Sequence, residues 1–131
     1  REVIIRNNKF INALTAYYQF TNAVISIFPE IPDLQNQQQY FHSGIVIENN
    51  RFEMFDRPIL YAKSVENLIF KNNVIINNKA FEPFHWNQHL FLLEHVKDIK
   101  IKDNKFAQPL NEAKDIMVKF SNEDAVTVEQ P

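Results

Sequence analysis

An all-β fold, a right-handed parallel β-helix of about four to five coils with two inserted loops, is what this sequence predicts. Three observations carry the prediction: a strand-and-turn pattern that recurs along the chain, an asparagine at the same point of each copy, and spacings too short for crossover helices. Four segments share the pattern: Val3–Phe10 (VIIRNNKF), Ile45–Phe52 (IVIENNRF), Leu68–Ile75 (LIFKNNVI) and Ile99–Phe106 (IKIKDNKF). A degraded fifth copy reads Ile116–Ser121 (IMVKFS). The segment before each copy also recurs, as Ala62–Asn67, Leu93–Asp98 and Leu110–Asp115. Equivalent positions 8, 50, 73, 104 and 121 lie 42, 23, 31 and 17 residues apart.

Each copy has the period of a strand, with successive side chains on opposite faces. Val3, Ile45, Leu68, Ile99 and Ile116 point inward, as do Ile5, Ile47, Phe70, Ile101 and Val118, while Arg6, Glu48, Lys71, Lys102 and Lys119 face solvent. Continued alternation puts Asn7, Asn49, Asn72 and Asp103 next on the inward row, and then Phe10, Phe52, Ile75 and Phe106. Asparagine tolerates the left-handed backbone of tight turns. Stacked amides can also bond one another, which suits a solenoid, because a buried amide without a partner costs roughly 1–3 kcal/mol.

A second strand per coil is readable as Ala23–Phe28, Ile59–Tyr61 and Leu90–Leu93, apolar runs bounded by turn residues. One turn of β-structure per two dozen or so residues is solenoid spacing. A crossover helix plus strands does not fit between copies 23 residues apart, and the L-x-x-L-x-L spacing of leucine-rich repeats is missing. The excess lengths mark insertions at Pro29–Ser43 and Asn77–Gln88, and a helix is weakly signalled around Ala13–Phe20. In solenoids such insertions collect on one face, often the binding face.

Composition narrows the function. A length of 131 residues allows a single domain, read as one β-helix segment over residues 1–131, and 45% hydrophobic residues supply its core. The net charge of −2 gives no electrostatic case for nucleic acid or an anionic membrane. With no cysteine, disulfides, thiolate zinc sites and cysteine nucleophiles are excluded. One glycine against 16 asparagines leaves nothing to build a glycine-rich phosphate loop. No apolar run approaches the roughly 18 residues of a membrane span. The chain opens at Arg1 without a leader and reads as a piece of a longer gene product.

The most site-like stretch is Glu82–His89 (EPFHWNQH), which holds the only tryptophan, Trp86, with His85 and His89, an acid and two amides. Aromatic faces stack on sugar rings while amides and carboxylates read hydroxyls. The plainer alternative is that Trp86 and Phe84 pin the insertion to the coil. A second candidate is Phe52–Pro58 (FEMFDRP), where Asp56 and Glu53 offer carboxylates and Arg57 a contact for a hydroxyl. Its plainer alternative is a turn with a local Asp56–Arg57 ion pair. His85 and His89 would share a metal only on a helix, which Pro83 opposes, so no metal and no cofactor are expected. Ser26, Ser43, Ser64 and Ser121 belong to no triad motif, and the outward lysines alternate with acids as on a solvated face.

The stretch Phe41–Asn73, above all Phe55–Lys63 (FDRPILYAK), resembles the C-terminal part of bacterial (Bacteroides-type) α-1,3-galactosidases of glycoside hydrolase family 110. The N-N-x-F repeat is shared more widely by pectate-lyase-like solenoids. The resemblance implies an exo-acting, metal-independent, inverting enzyme that removes terminal galactose from glycans and is secreted or periplasmic. Inversion needs two carboxyl groups about 6.5–9.5 Å apart, one protonating the leaving oxygen and one activating water. Those enzymes are several times longer than this chain, and their catalytic acids are expected upstream of it. What the resemblance leaves to this chain is a substrate-binding wall, with Trp86, His85, Asp56 and Arg57 as its candidates.

Two other readings remain open. A β-helix polysaccharide lyase or epimerase would work on acidic sugars and would show lysines or arginines clustered in a cleft. A non-catalytic stalk would show regular coils, against which the two insertions speak, whereas a glycan-binding module stays open and would be demoted by two carboxylates facing each other across a pocket. In every case, uncapped end coils expose apolar rows and strand edges, which predicts self-association or instability of the isolated chain.

Overall fold

The computed structural model describes residues 2–12, 23–27, 29, 31–79, 82, 83, 85 and 87–129. The segment Ala13–Phe20, where a helix was weakly signalled, lies outside them. Ten strands are described: β1 (Val3–Arg6), β2 (Lys9–Asn12), β3 (Ile25–Ile27), β4 (His42–Glu48), β5 (Arg51–Met54), β6 (Leu60–Lys71), β7 (Val74–Asn77), β8 (Phe91–Lys102), β9 (Ile116–Lys119) and β10 (Val126–Glu129). Helix is confined to a 3-10 turn at Leu34–Asn36 and the single turn α1 (Glu112–Asp115) among the described residues. The described residues are therefore mostly strand. No helix of the described residues is long and apolar enough to cross a membrane.

All the pairings are parallel. One sheet runs β1-β4-β6-β8-β10, with β3 also on β6 and β9 also on β8; the other runs β2-β5-β7. The register stacks equivalent repeat positions on one another: Val3 on Ile45, Ile45 on Leu68, Leu68 on Ile99, and Ile99 on Val126. Phe10 likewise stacks on Phe52 and Phe52 on Ile75 in the second sheet. The second strand per coil falls where expected, with Ile25 on Leu60 and Leu60 on Phe91. It is continuous with the repeat strand, so that β6 and β8 are each 12 residues long.

These long strands turn at residues with left-handed backbone. Ser64 (φ 59°) and His95 (φ 51°) occupy one column, with Phe120 (φ 56°) following β9 at the same place. Gly44 (φ 71°), Asn67 (φ 56°) and Asp98 (φ 55°) occupy a second. The sole glycine therefore serves a corner that the next two coils fill with Asn and Asp, the side chains that best tolerate it. A third column, Asn7, Asn49, Asn72 and Asp103, has φ of 59°, 55°, 54° and 57°.

Each left-handed residue resets the alternation by one. Buried positions run Leu60, Ala62, then Val65, then Leu68 and Phe70, then Asn73 and Ile75, skipping one extra residue at each corner. This corrects the expectation that the first Asn of each pair faces inward. Asn49, Asn72 and Asp103 are exposed, and it is Asn50, Asn73 and Asn104 that are buried. There they form a ladder. The backbone N–H of Asn8, Asn50 and Asn73 each donates, over 2.9 Å, to the side-chain oxygen of the next rung: Asn50, Asn73 and Asn104. Each buried amide also donates over 3.0 Å to a strand carbonyl, Asn50 to Ile5, Asn73 to Ile47 and Asn104 to Phe70. Phe10, Phe52 and Phe70 stack beside it, with ring centroids 5.0 and 5.8 Å apart.

The degraded fifth copy sits elsewhere than its sequence suggests. Ile116–Lys119 pairs with Phe91–Glu94, the second-strand row, while the row begun by Val3 is continued by Val126–Glu129. The third flank is not a flank either. Leu110 and Asn111 lie in a loop, and Glu112–Asp115 is α1, capped by the Asn111 side chain accepting from Lys114 N–H. Hydrophobic matching misplaces this stretch because its corner residue, Phe120, stands in the column of Ser64 and His95, where the coils share no residue type.

Candidate functional site

Where β5 ends, Phe55, Asp56 and Arg57 lead into a bend that reaches the second insertion and α1. Asp56 is buried, 5% exposed. Its carboxylate accepts from the backbone N–H of Arg57 (2.9 Å), the backbone N–H of His85 (2.9 Å) and the Gln88 side chain (3.3 Å). An ionised carboxylate held by N–H donors is a strong anchor, and it ties the insertion to the turn after β5.

Arg57 is a bracket between three segments. Its Nε donates to Gln88 O over 2.7 Å and its Nη2 donates to Asp115 Oδ1 in an ion pair. The other Asp115 oxygen accepts from Asn111 N–H over 2.9 Å, which closes the turn of α1. The local Asp56–Arg57 ion pair expected from the D-R-P triplet is thus not formed: the partner lies 58 residues away. Pro58 stiffens the chain between this bend and β6.

In the insertion, His85 is buried, and its Nδ1 accepts from Asn87 N–H over 3.0 Å. Asn87 is also buried; its oxygen accepts from His89 N–H, and its Nδ2 finds no partner among the described residues. His89 Nδ1 lies 2.7 Å from Lys114 O, so that nitrogen carries the proton. His85 and His89 therefore hold different neighbours on an irregular segment and share no helical face. Trp86 and Phe84 lie outside the described residues.

A cavity of about 730 Å³ opens beside this bracket. Met54, Phe55, Ile75, Leu90 and Phe106 give it apolar walls. Its polar lining comes from Asp56, Arg57, Asn77, Gln108, Asn111 and Asp115, with Lys79 and Lys114. Of the residues singled out in the sequence, the structure brings Asp56 and Arg57 to the cavity and buries His85 behind them through its bond to Asp56. Glu53 is not part of it. Its carboxylate is hydrogen-bonded by Arg51 at the outer face of the second sheet, and that bond, with the nearby Lys9 charge, holds it below the usual carboxylate range.

Asp115, Lys79, Lys114 and the Ala107–Pro109 loop stand out by no site motif, and sequence reasoning missed them. Asp115 was aligned with Asn67 and Asp98, which would have made it an exposed corner. Away from the cavity, the buried Tyr61 lies on the outward row of β6 and donates to Glu94 Oε2 over 3.2 Å; burial, then the Glu94 charge, pushes it up to about 12.

No family model matches the chain. Over 107 residues it is 64% identical to an alpha-1,3-galactosidase B of Bacteroides fragilis, a match spanning 79% of this chain and 18% of that protein. An alpha-1,3-galactosidase B of Parabacteroides distasonis is 52% identical over 117 residues, spanning 89% of this chain and 19% of that protein. An alpha-1,3-galactosidase A of Bacteroides fragilis is 36% identical over 107 residues, spanning 81% and 17%. The chain thus spans less than a fifth of the length of these curated relatives. Identity at this level over most of the chain leaves its kinship plain: it is homologous to one segment of the bacterial α-1,3-galactosidases.

Proposed function

We propose that the chain is the C-terminal part of a right-handed parallel β-helix in a glycosidase that removes terminal α-1,3-linked galactose. The observation that carries this reading is the 64% identity to a protein named for that activity. The all-parallel register and the asparagine ladder support the solenoid, since both repeat coil upon coil. The reading extends to an inverting, metal-independent reaction whose two carboxylic acids come from upstream coils, and to a secreted or periplasmic parent.

Within it, this chain supplies substrate contacts. The cavity beside Arg57 combines apolar walls with convergent polar groups, the mixture that seats a sugar ring. Both carboxylates at its edge already accept from N–H groups, Asp56 from two backbone N–H groups and an amide, Asp115 from Arg57 and Asn111. That suits positioning rather than proton transfer. Arg57 contacts the sugar, Asp56 and His85 hold the insertion, and Trp86 provides an aromatic face.

The test uses the single tryptophan. Fluorescence of the protein is followed while galactose and a galactosyl-α-1,3-galactose disaccharide are titrated, with glucose as control. A saturable, galactose-selective change is expected. A flat response from folded protein, unchanged in the Arg57→Ala variant, would remove Trp86 and the cavity from the substrate site.

A further inference from the structure

We propose that the cavity beside Arg57 is a subsite for an anionic sugar substituent, a carboxylate or sulfate ester carried on the glycan; this rests on the reading of the cavity as a sugar subsite. Cations that are scattered in the sequence converge there. Arg57, Lys79 and Lys114 all line it, although they lie on the bend after β5, the segment after β7 and α1. Two carboxylates, Asp56 and Asp115, share the lining, so the cations there outnumber the acids by one. Asp115 spends one oxygen on Arg57 Nη2 and the other on Asn111 N–H, and Asp56 accepts from Arg57 N–H, His85 N–H and Gln88.

Lys79 and Lys114 form no ion pair among the described residues. Arg57 is also held from behind, its Nε on Gln88 O and its Nη2 on Asp115, with no hydrogen bond to Nη1 among the described residues. A fixed guanidinium edge with two exposed ammonium groups is the donor set that recognises carboxylate and sulfate oxygens. Apolar walls beside it lower the local dielectric and strengthen such contacts.

Calorimetric titration of the protein with galactose, galacturonate, galactose 6-sulfate and inorganic sulfate, at low and high salt, tests the proposal. At low salt the two anionic sugars should bind at least about tenfold more tightly than galactose, one charge-assisted contact being worth about that factor. The advantage should shrink in high salt and vanish in the Lys79→Gln, Lys114→Gln double variant, whose exposed positions leave the fold intact. Galactose binding as well as the anionic sugars would overturn the anionic subsite and leave the sugar subsite standing. Anionic sugars binding no better than inorganic sulfate, or binding equally to the double variant, would also overturn it. No binding by any of the four would overturn both readings.

Discussion

At Asn73 one side chain serves three neighbours. Its oxygen accepts from the backbone N–H and the amide of Asn50, at 2.9 and 3.1 Å, and its Nδ2 donates to Ile47 O and Asn104 Oδ1, at 3.0 and 3.2 Å. Removing it strands buried groups above and below, each costing about 1–3 kcal/mol. Asn73→Ala should therefore lower the unfolding free energy by ~2–4 kcal/mol, whereas Asn8→Ala, at the exposed end of the ladder, should cost under ~1 kcal/mol. Urea denaturation of both variants checks this, and equal effects would mean the ladder is not a stabilising network. The ladder was legible in the sequence as a recurring Asn-Asn, but the choice between the two was not. Period-two counting holds only while every residue stays in the β region. A left-handed Asn72 shifts the phase, and the amide that ends up buried is the one counting placed outside.

On the scale of an element, α1 and the second insertion are joined to β5 by the Arg57 bracket. Arg57 is about a quarter exposed while Asp115 is nearly buried, so the pair is partly shielded from solvent. Truncating Asp115 leaves the guanidinium and Asn111 N–H without their acceptor. Asp115→Ala should destabilise by ~1–3 kcal/mol and raise amide exchange selectively over residues 111–115. Glu48→Ala, which removes the solvent-facing pairs to Arg6 and Lys71, should cost no more than ~1 kcal/mol. Equal costs would show that the bracket is ordinary surface electrostatics. The strands of the first four copies were readable because apolar residues and corner residues repeat together. The last coil was not, since α1 comes before β9 and the corner at Phe120 lies in the Ser64 and His95 column, so an alignment by apolar spacing slides one row sideways. The site shared this limit. Asp56 and Arg57 stood out as charged residues beside a proline, but nothing local distinguishes Asp115 from any other helix-capping acid.

For the molecule as a whole, the outermost strands among the described residues leave apolar surface open: Val3 and Ile4 of β1 are 47% and 45% exposed, and Ile11 of β2 is 58% exposed. Strand edges of this kind are normally covered. In sedimentation velocity at increasing concentration, the isolated chain should shift to larger species or lose its fold, and a concentration-independent, folded monomer would refute the expectation. The hydrogen bonds along the ladder all run one way, each backbone N–H reaching toward the rung later in the sequence. The two ends of the stack are therefore unlike, one presenting acceptors and the other donors. Only a head-to-tail contact would carry the ladder from one copy into the next, and every such addition recreates the surface it has just covered. Association through this axis would have no natural stopping point, and its product would be a fibre rather than a dimer.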